Sequence, residues 1–407
     1  MRSKDLVLNS INELQSEFKK IDELTLLNSE KVLNAFHKYN INQNDFIGTT
    51  GYGYGDIGRD KIEKVFASVL DAEDALVRNQ FISGTHALTV AFFGLLRPND
   101  ILLSISGQPY DTLHEVIGII DNDSSLKSFG IIYDQIDLIN DDFDYLKIEK
   151  YLNDNKVKVI EIQKSIGYST RKTINNESLE KVIKLIKKVS KDTIIMVDNC
   201  YCELVSDSPL KIGADIIVGS LIKNLGGGVA KNGGYVAGRK DLVDIIAQRL
   251  TVPGCGKEVG PSLDANYEFI KGLYMAPSVV GSSLKINVLT AYILENLGYK
   301  VVPRYNEIKN DIVLSIYFNN ANKLINFTKG IQNGSAIDSH ATVMPSDMPG
   351  YDDKIIMASG SFVQGSSIEI SCDGPIRSPY IAYMQGSLTF EYGVLALITA
   401  LEKILED

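Results

Sequence analysis

The sequence predicts an α/β protein: a large domain built on a mostly parallel mixed sheet, followed by a smaller C-terminal α+β domain. Two observations carry this prediction. Between about residues 75 and 285, short apolar runs alternate with helical stretches, as expected for a sheet covered on both faces. From residue 286 onward the order changes to strand-like runs closed by one amphipathic helix.

Residues 1–45 read as an N-terminal helical segment, with Leu24, Leu27, Val32, Leu33 and Phe36 at helical spacings. The stretch "GTTGYGYGDIGRD" follows, in which glycines and two tyrosines precede a helix beginning near Arg59. The large domain is placed at 46–285. Its candidate strands are "ALVRNQF", "DILLSI", "VKVIEIQ", "DTIIMVDN" and "ADIIVGS", with helices in "SGTHALTVAFFGLL" and "YDTLHEVIGII". The small domain is placed at 286–407. There "KVVPRY", "DIVLSIYF" and "SSIEISC" read as strands, and Val394, Leu397, Leu401 and Ile404 mark one face of a terminal helix.

The bulk numbers exclude several classes. A chain of 407 residues is long enough for one large domain plus a smaller one. Its 44% hydrophobic and 23% charged residues are ordinary for a globular protein. A net charge of −10 argues against a nucleic-acid partner, which would call for a surplus of lysine and arginine. The amino terminus lacks a signal peptide's apolar core, and no run approaches the roughly 18 apolar residues of a membrane span. Cys200, Cys202, Cys255 and Cys372 are too scattered for a disulfide framework or a structural zinc site. The expectation is a soluble, reduced, cytoplasmic protein without a metal.

In open α/β sheets, ligands bind beyond the carboxyl ends of the strands, and chemistry-bearing residues cluster there in this sequence. Ser83, Gly84 and Thr85 in "FISGTHALTV" open a helix, where free backbone N–H groups and the helix dipole suit a phosphate; a plain Ser/Thr cap is the other reading. Asp198 ends "IIMVD", where a buried carboxylate needs a cation or donor. Tyr110 follows "DILLSI" and reads either as packing or as a ligand contact. Lys223 in "GSLIKNLGGG" stands at the end of an apolar run with Ser220 just before it. It reads as a phosphate grip or as a lysine that forms a Schiff base.

Taken together and in order, these segments resemble the fold-type-I pyridoxal-phosphate enzymes, in the cystathionine/methionine gamma-lyase branch. "GYGYGDIGRD", "SGTHAL", "VDNCY", "KNLGGGVAKNGGYVAG" and "SCDGPIRSPYIAYMQGSLTFEYG" are similar to a bacterial group in that branch known as aluminium-resistance proteins. The resemblance spans nearly the whole chain and implies the PLP-dependent transferase fold. It implies that Lys223 carries pyridoxal 5'-phosphate as a covalent aldimine and shuttles the substrate's Cα proton. Asp198 would pair with the pyridinium nitrogen, and Tyr110 would stack on the ring. Ser83, Gly84, Thr85 and Ser220 would hold the phosphate, and the glycines after Lys223 would let the loop pass close to the cofactor. Tyr52 or Tyr54 would reach the neighbouring subunit's phosphate in a homodimer or homotetramer with shared active sites.

Arg377 is the candidate for the substrate carboxylate, with a domain-interface arginine as the other reading, and Arg171 is a second candidate for an anionic group. His86 stands either near the ring or in helix packing. The lyases of the branch carry an asparagine near the cofactor's phenolic oxygen; this sequence has "EIQKSIGYSTR" there, and Gln163 is the candidate replacement. The expected reaction is β- or γ-elimination from a sulfur amino acid such as cystathionine, cysteine or methionine. Other pyridoxal-phosphate reactions (transamination, racemisation, decarboxylation) and a cofactor-bearing regulatory protein remain open at this point.

Overall fold

The computed structural model describes residues 3–348 and 351–405. Two helices, α1 (Ser3–Glu13) and α2 (Gln15–Lys38), form the N-terminal segment and pack against the body of the large domain. Helix α3 (Ile57–Leu70) begins where the sequence predicts: the Asp56 carboxylate accepts from Arg59 N at 2.9 Å and satisfies a free first-turn donor.

The large domain continues through β1 (Asp74–Arg78), α4 (Gly84–Leu95), β2 (Ile101–Ser104), α5 (His114–Ile117), β3 (Ile132–Gln135) and α6 (Tyr145–Asp154). It goes on through β4 (Val157–Gln163), α7 (Asn176–Val189), β5 (Ile194–Asp198), β6 (Ile216–Ser220), β7 (Gly234–Gly238) and α8 (Lys240–Leu250). The strands form a sheet of order β1-β7-β6-β5-β4-β2-β3. Pairing is parallel from β3 to β6, and β7 runs antiparallel to both β6 and β1. Successive residues alternate between faces. Val159, Met196 and Val218 pack on one side, while Ile160, Ile195 and Ile217 pack on the other. The sheet is mixed and mostly parallel, as predicted.

Two strands of this sheet were not legible, nor were two of the small domain, Ile355–Ala358 and Ile381–Gln385. β3 is an edge strand with a half-exposed Ile132 and no apolar run, and β7 is bounded by glycines that read as a loop.

Helix α9 (Ala265–Asn296) runs unbroken through position 285, where the small domain was expected to begin. Beyond it come β8 (Lys300–Val302), β9 (Val313–Tyr317), α10 (Ala321–Asn333), β10 (Ile355–Ala358), β11 (Ser371–Pro375), β12 (Ile381–Gln385) and α11 (Phe390–Leu405). The five strands form an antiparallel sheet of order β10-β11-β12-β9-β8. One expected strand is displaced. "SSIEISC" is mostly turn, and the strand starts only at Ser371, because the Glu369 carboxylate accepts from the N–H groups of Phe362 and Val363 and holds the preceding loop. Among the described residues no helix is long and apolar enough to cross a membrane.

Candidate active site

The parallel strands β4, β5 and β6 end at Gln163, Asp198 and Ser220, and a cavity of about 200 Å³ opens just beyond them. Its walls bring together Ser83, Gly84, Thr85, Tyr110, Gln163, Asp198, Ser220 and Lys223, eight of the residues singled out in the sequence. The sheet register explains the grouping. Gln163 lies beside Asp198, and Asp198 beside Val218, so neighbouring strand ends deliver their last side chains to one place.

Ser83 caps α4, its hydroxyl accepting from His86 N at 3.0 Å, and it also lines the cavity, so both readings of this turn hold geometrically. Among the hydrogen bonds of the described residues, Gly84 N–H and Thr85 N–H have no acceptor, as expected of a helix's first turn. A Cβ on Gly84 would stand 3.2 Å from Ser220 Cβ and 3.4 Å from Cys200 Sγ, so glycine lets the helix start press against the end of β6. Thr85 Oγ1 meets Thr112 Oγ1 at 2.8 Å.

Asp198 is buried, and its Oδ1 accepts from Cys200 N at 3.0 Å. Lys223 Nζ stands 3.9 Å from the centroid of the Tyr201 ring. Burial works against the lysine's charge, but Cys200, Tyr201, Asp198 and Glu203 outweigh it and hold its pKa above the usual lysine value. Burial also drives Cys200 and Tyr201 towards their neutral forms. Glu203, also buried, has its own pKa pushed up to about 7 by burial and accepts from Tyr235 OH at 2.7 Å.

The glycines after Lys223 have a different task from the one expected. A Cβ on Gly226 would strike Leu221 O, one on Gly227 would lie 2.4 Å from Gly272 O in α9, and one on Gly228 would lie 2.2 Å from Leu388 Cδ2. They fold the loop on itself and against α9 rather than clearing space in the cavity.

Gln163 Nε2 donates to Ser165 O at 3.0 Å, while its buried Oε1 has no partner. Tyr110 OH and Tyr351 OH are 2.6 Å apart, and burial pushes the Tyr110 pKa well above its ordinary value.

Other candidates lie elsewhere. Arg171 donates to the carbonyls of Gln163, Lys164, Ser165 and Lys172 and braces the loop after β4. Arg377 Nη1 pairs with Asp353 at 2.8 Å beside a separate small cavity. His86 Nδ1 accepts from Ile82 N, and its ring packs against Phe81. Tyr52 and Tyr54 are 75% and 64% exposed, their rings 5.7 Å apart, on a loop held by the buried Arg59, which donates to Gly53 O and Gly260 O.

Tyr201, Tyr168, Asp373, Tyr383 and Gln385 also line the cavity and were missed. Tyr201 carried a signal, because it lies between two singled-out positions in "DNCYCE". Asp373, Tyr383 and Gln385 lie in "SCDGPIRSPYIAYMQGSLTFEYG", a segment that carried the family resemblance, but only the pairing of β11 with β12 shows that they share this wall. Among the described residues no cluster of three His, Cys, Asp or Glu side chains forms a metal site.

A family model described as methionine gamma-lyase matches residues 3–405. The Bacillus subtilis protein YnbB is 44% identical over 392 residues, covering 95% of this chain and 93% of its own. A crystal structure from Clostridium novyi NT, described as a carbon-sulfur lyase involved in aluminum resistance, is 45% identical with a TM-score of 0.94, covering 99% of this chain and 96% of its own. The pyridoxal-5'-phosphate-dependent protein YhfS from Escherichia coli shares the fold, with a TM-score of 0.63 at 17% identity over 94% of this chain and 96% of its own.

Proposed function

The chain belongs to the methionine gamma-lyase family, and on that premise we propose that it is a pyridoxal-phosphate-dependent carbon–sulfur lyase that eliminates thiol from a sulfur amino acid. The observation that carries this reading is the placement of Lys223 Nζ in one cavity with the Asp198 carboxylate and the donor-rich turn Ser83–Thr85.

The residues present fit pyridoxal phosphate. The unpaired N–H groups of Gly84 and Thr85, with Ser83 and Ser220 beside them, offer a phosphate cup at a helix N-terminus. Buried Asp198 suits a protonated ring nitrogen. Gln163 Nε2 spends one proton on Ser165 O and retains a second for the phenolic oxygen.

Bound there, the cofactor supplies an electron sink for charge that develops at the substrate's α-carbon. Lys223 Nζ would be the point of covalent attachment and, once displaced by the substrate's amino group, the base that takes the Cα proton. Asp198 keeps the proton on the ring nitrogen. Tyr110 walls the site and, as a neutral phenol hydrogen-bonded to Tyr351, can give a proton to the departing sulfur. Burial of the cavity under the small domain limits water. We assign the same protein to the cytoplasm on composition, and its working form to a homodimer or homotetramer. Tyr52 and Tyr54, exposed on the loop that Arg59 anchors, would then complete a neighbour's site; an active monomer in sedimentation would contradict this.

The test is incubation of the cofactor-loaded protein with cystathionine, cysteine and methionine, and no added keto acid. Elimination gives keto acid, ammonia and a sulfur product. Turnover that appears only when a keto-acid acceptor is supplied would replace elimination with transamination.

A further inference from the structure

Tyr110 and Tyr351 join two cavities through a shared wall. Tyr110 follows β2 in the large domain and lines the active-site cavity. Tyr351 lies between α10 and β10 in the small domain and lines the small cavity beside Arg377, not the larger one. Their hydroxyls meet at 2.6 Å, the one hydrogen bond of the Tyr110 hydroxyl among the described residues. The small cavity holds about 30 Å³, enough for water, and is bordered by the exposed Ile120, Asp352 and Arg377. Asp111 and His114 line it too, the imidazole Nε2 3.8 Å from Asp111 Oδ1, so groups that exchange protons with water share it with Tyr351.

The pair is fastened in place. Arg377 Nη1 binds Asp353, two residues past Tyr351, at 2.8 Å, and its Nη2 donates to Tyr168 O, on the loop after β4, at 3.3 Å. The rings of Tyr110, Tyr168 and Tyr351 pack with centroids 5.5 to 6.2 Å apart. The arginine expected at a substrate carboxylate thus ties the segment carrying Tyr351 to the large domain. Burial pushes the Tyr110 pKa well above its ordinary value, so a phenolate left there after proton donation is costly.

We propose that Tyr351 reprotonates Tyr110 from behind. The departing sulfur leaves with the electron pair of its bond to carbon and takes the proton of the Tyr110 hydroxyl. The Tyr351 hydroxyl donates to the developing phenolate, passes its proton across, and regains one from water in the small cavity. One proton moves along the chain in each turnover, and both phenols end as they began. This rests on the lyase reading, and it assigns to the small domain a residue that acts through Tyr110 without touching the substrate.

Tyr351→Phe keeps the ring and removes the hydroxyl; circular dichroism verifies folding. In the cofactor-loaded, full-length protein, kcat is measured on cystathionine, cysteine and methionine, and on 3-chloroalanine, whose chloride departs without a proton. The variant should lower the ratio of sulfur-substrate to 3-chloroalanine kcat about tenfold, the scale of a hydrogen bond to a charged group. A ratio equal to that of the wild type would overturn the proposal and leave the lyase reading standing. A wild type that releases keto acid from no sulfur substrate would overturn the lyase reading, and this assignment with it. A second measurement needs no turnover. With 3-fluorotyrosine at position 351, titrated by fluorine NMR, Tyr110→Phe should raise the midpoint by about one pH unit or more, because the phenolate loses its donor. An unmoved midpoint would mean two rings that merely pack, and would overturn the proposal.

Discussion

Lys223 Nζ lies 3.9 Å from the centroid of the Tyr201 ring, and Tyr201 itself is held in the left-handed region at φ 71°. That conformation is costly for a tyrosine, and the fold retains it where the ring meets the reactive lysine. The Tyr201 hydroxyl accepts from Ser367 Oγ at 3.1 Å, which ties the ring to the small domain. A partly buried cation–π contact contributes about 1–2 kcal/mol. Tyr201→Ala should therefore lower turnover about tenfold or more and loosen cofactor retention, whereas Tyr201→Phe, which keeps the ring, should stay within a few-fold of wild type. Steady-state rates and cofactor absorbance check both; equal losses in the two variants would mean that the ring contact is not what matters.

The raised pKa of Lys223 has a consequence for loading. Cys200, Tyr201, Asp198 and Glu203 together outweigh burial and keep it an ammonium near neutral pH, but attachment of an aldehyde requires the neutral amine. Reconstitution of cofactor-free protein should therefore accelerate steadily from pH 6 to pH 9, as the small neutral fraction grows with each pH unit. Stopped-flow absorbance measures it, and a plateau below pH 8 would contradict the assignment.

Glu161 provides a stability test. Its Oε2 lies 2.8 Å from Ser104 Oγ, and the same hydroxyl lies 2.6 Å from Gly107 O. One hydroxyl proton cannot serve both acceptors, so a protonated Glu161 that donates to Ser104 completes the set. Burial accordingly raises its pKa from 4.5 to about 8. A carboxyl whose pKa rises on folding stabilises the fold fully below its unfolded pKa and loses that contribution as pH climbs through the folded value. Glu161→Gln mimics the protonated form at every pH. Its melting temperature should gain on wild type between pH 5 and pH 9; a constant difference would mean that Glu161 is ionised throughout.

Asp198→Asn should keep most of the cofactor, because the phosphate cup and Lys223 remain, and lose most of the turnover. A neutral amide cannot hold the ring nitrogen protonated, and the loss expected is about ten- to a hundredfold in kcat, on the scale of a lost charge-assisted hydrogen bond. Unchanged kcat would remove Asp198 from the chemistry.

Much of the large domain was legible because strand ends announce themselves. Gln163, Asp198 and Ser220 each close an apolar run, and parallel register then places them side by side. The roof was not legible. Asp373 and Gln385 belong to strands whose neighbours are set by long-range pairing, and nothing in their own spacing points to a cavity. Arg171 shows the limit in the other direction. A guanidinium in a loop suggests an anion, but here four carbonyls left open by an irregular turn take its donors. The glycines of residues 226–228 were expected to let the loop pass close to the cofactor, but two of the groups they make room for, Gly272 and Leu388, lie far along the chain.

The measurement that bears most directly on the central claim is borohydride reduction of the cofactor-loaded protein followed by peptide mapping. The account predicts a single modified residue, Lys223. The rival is Lys164, which is fully buried with its Nζ bonded to Asn176 Oδ1 and Ser206 Oγ, and whose charge is disfavoured by burial. Cofactor found on Lys164, or on any lysine other than Lys223, would contradict the account.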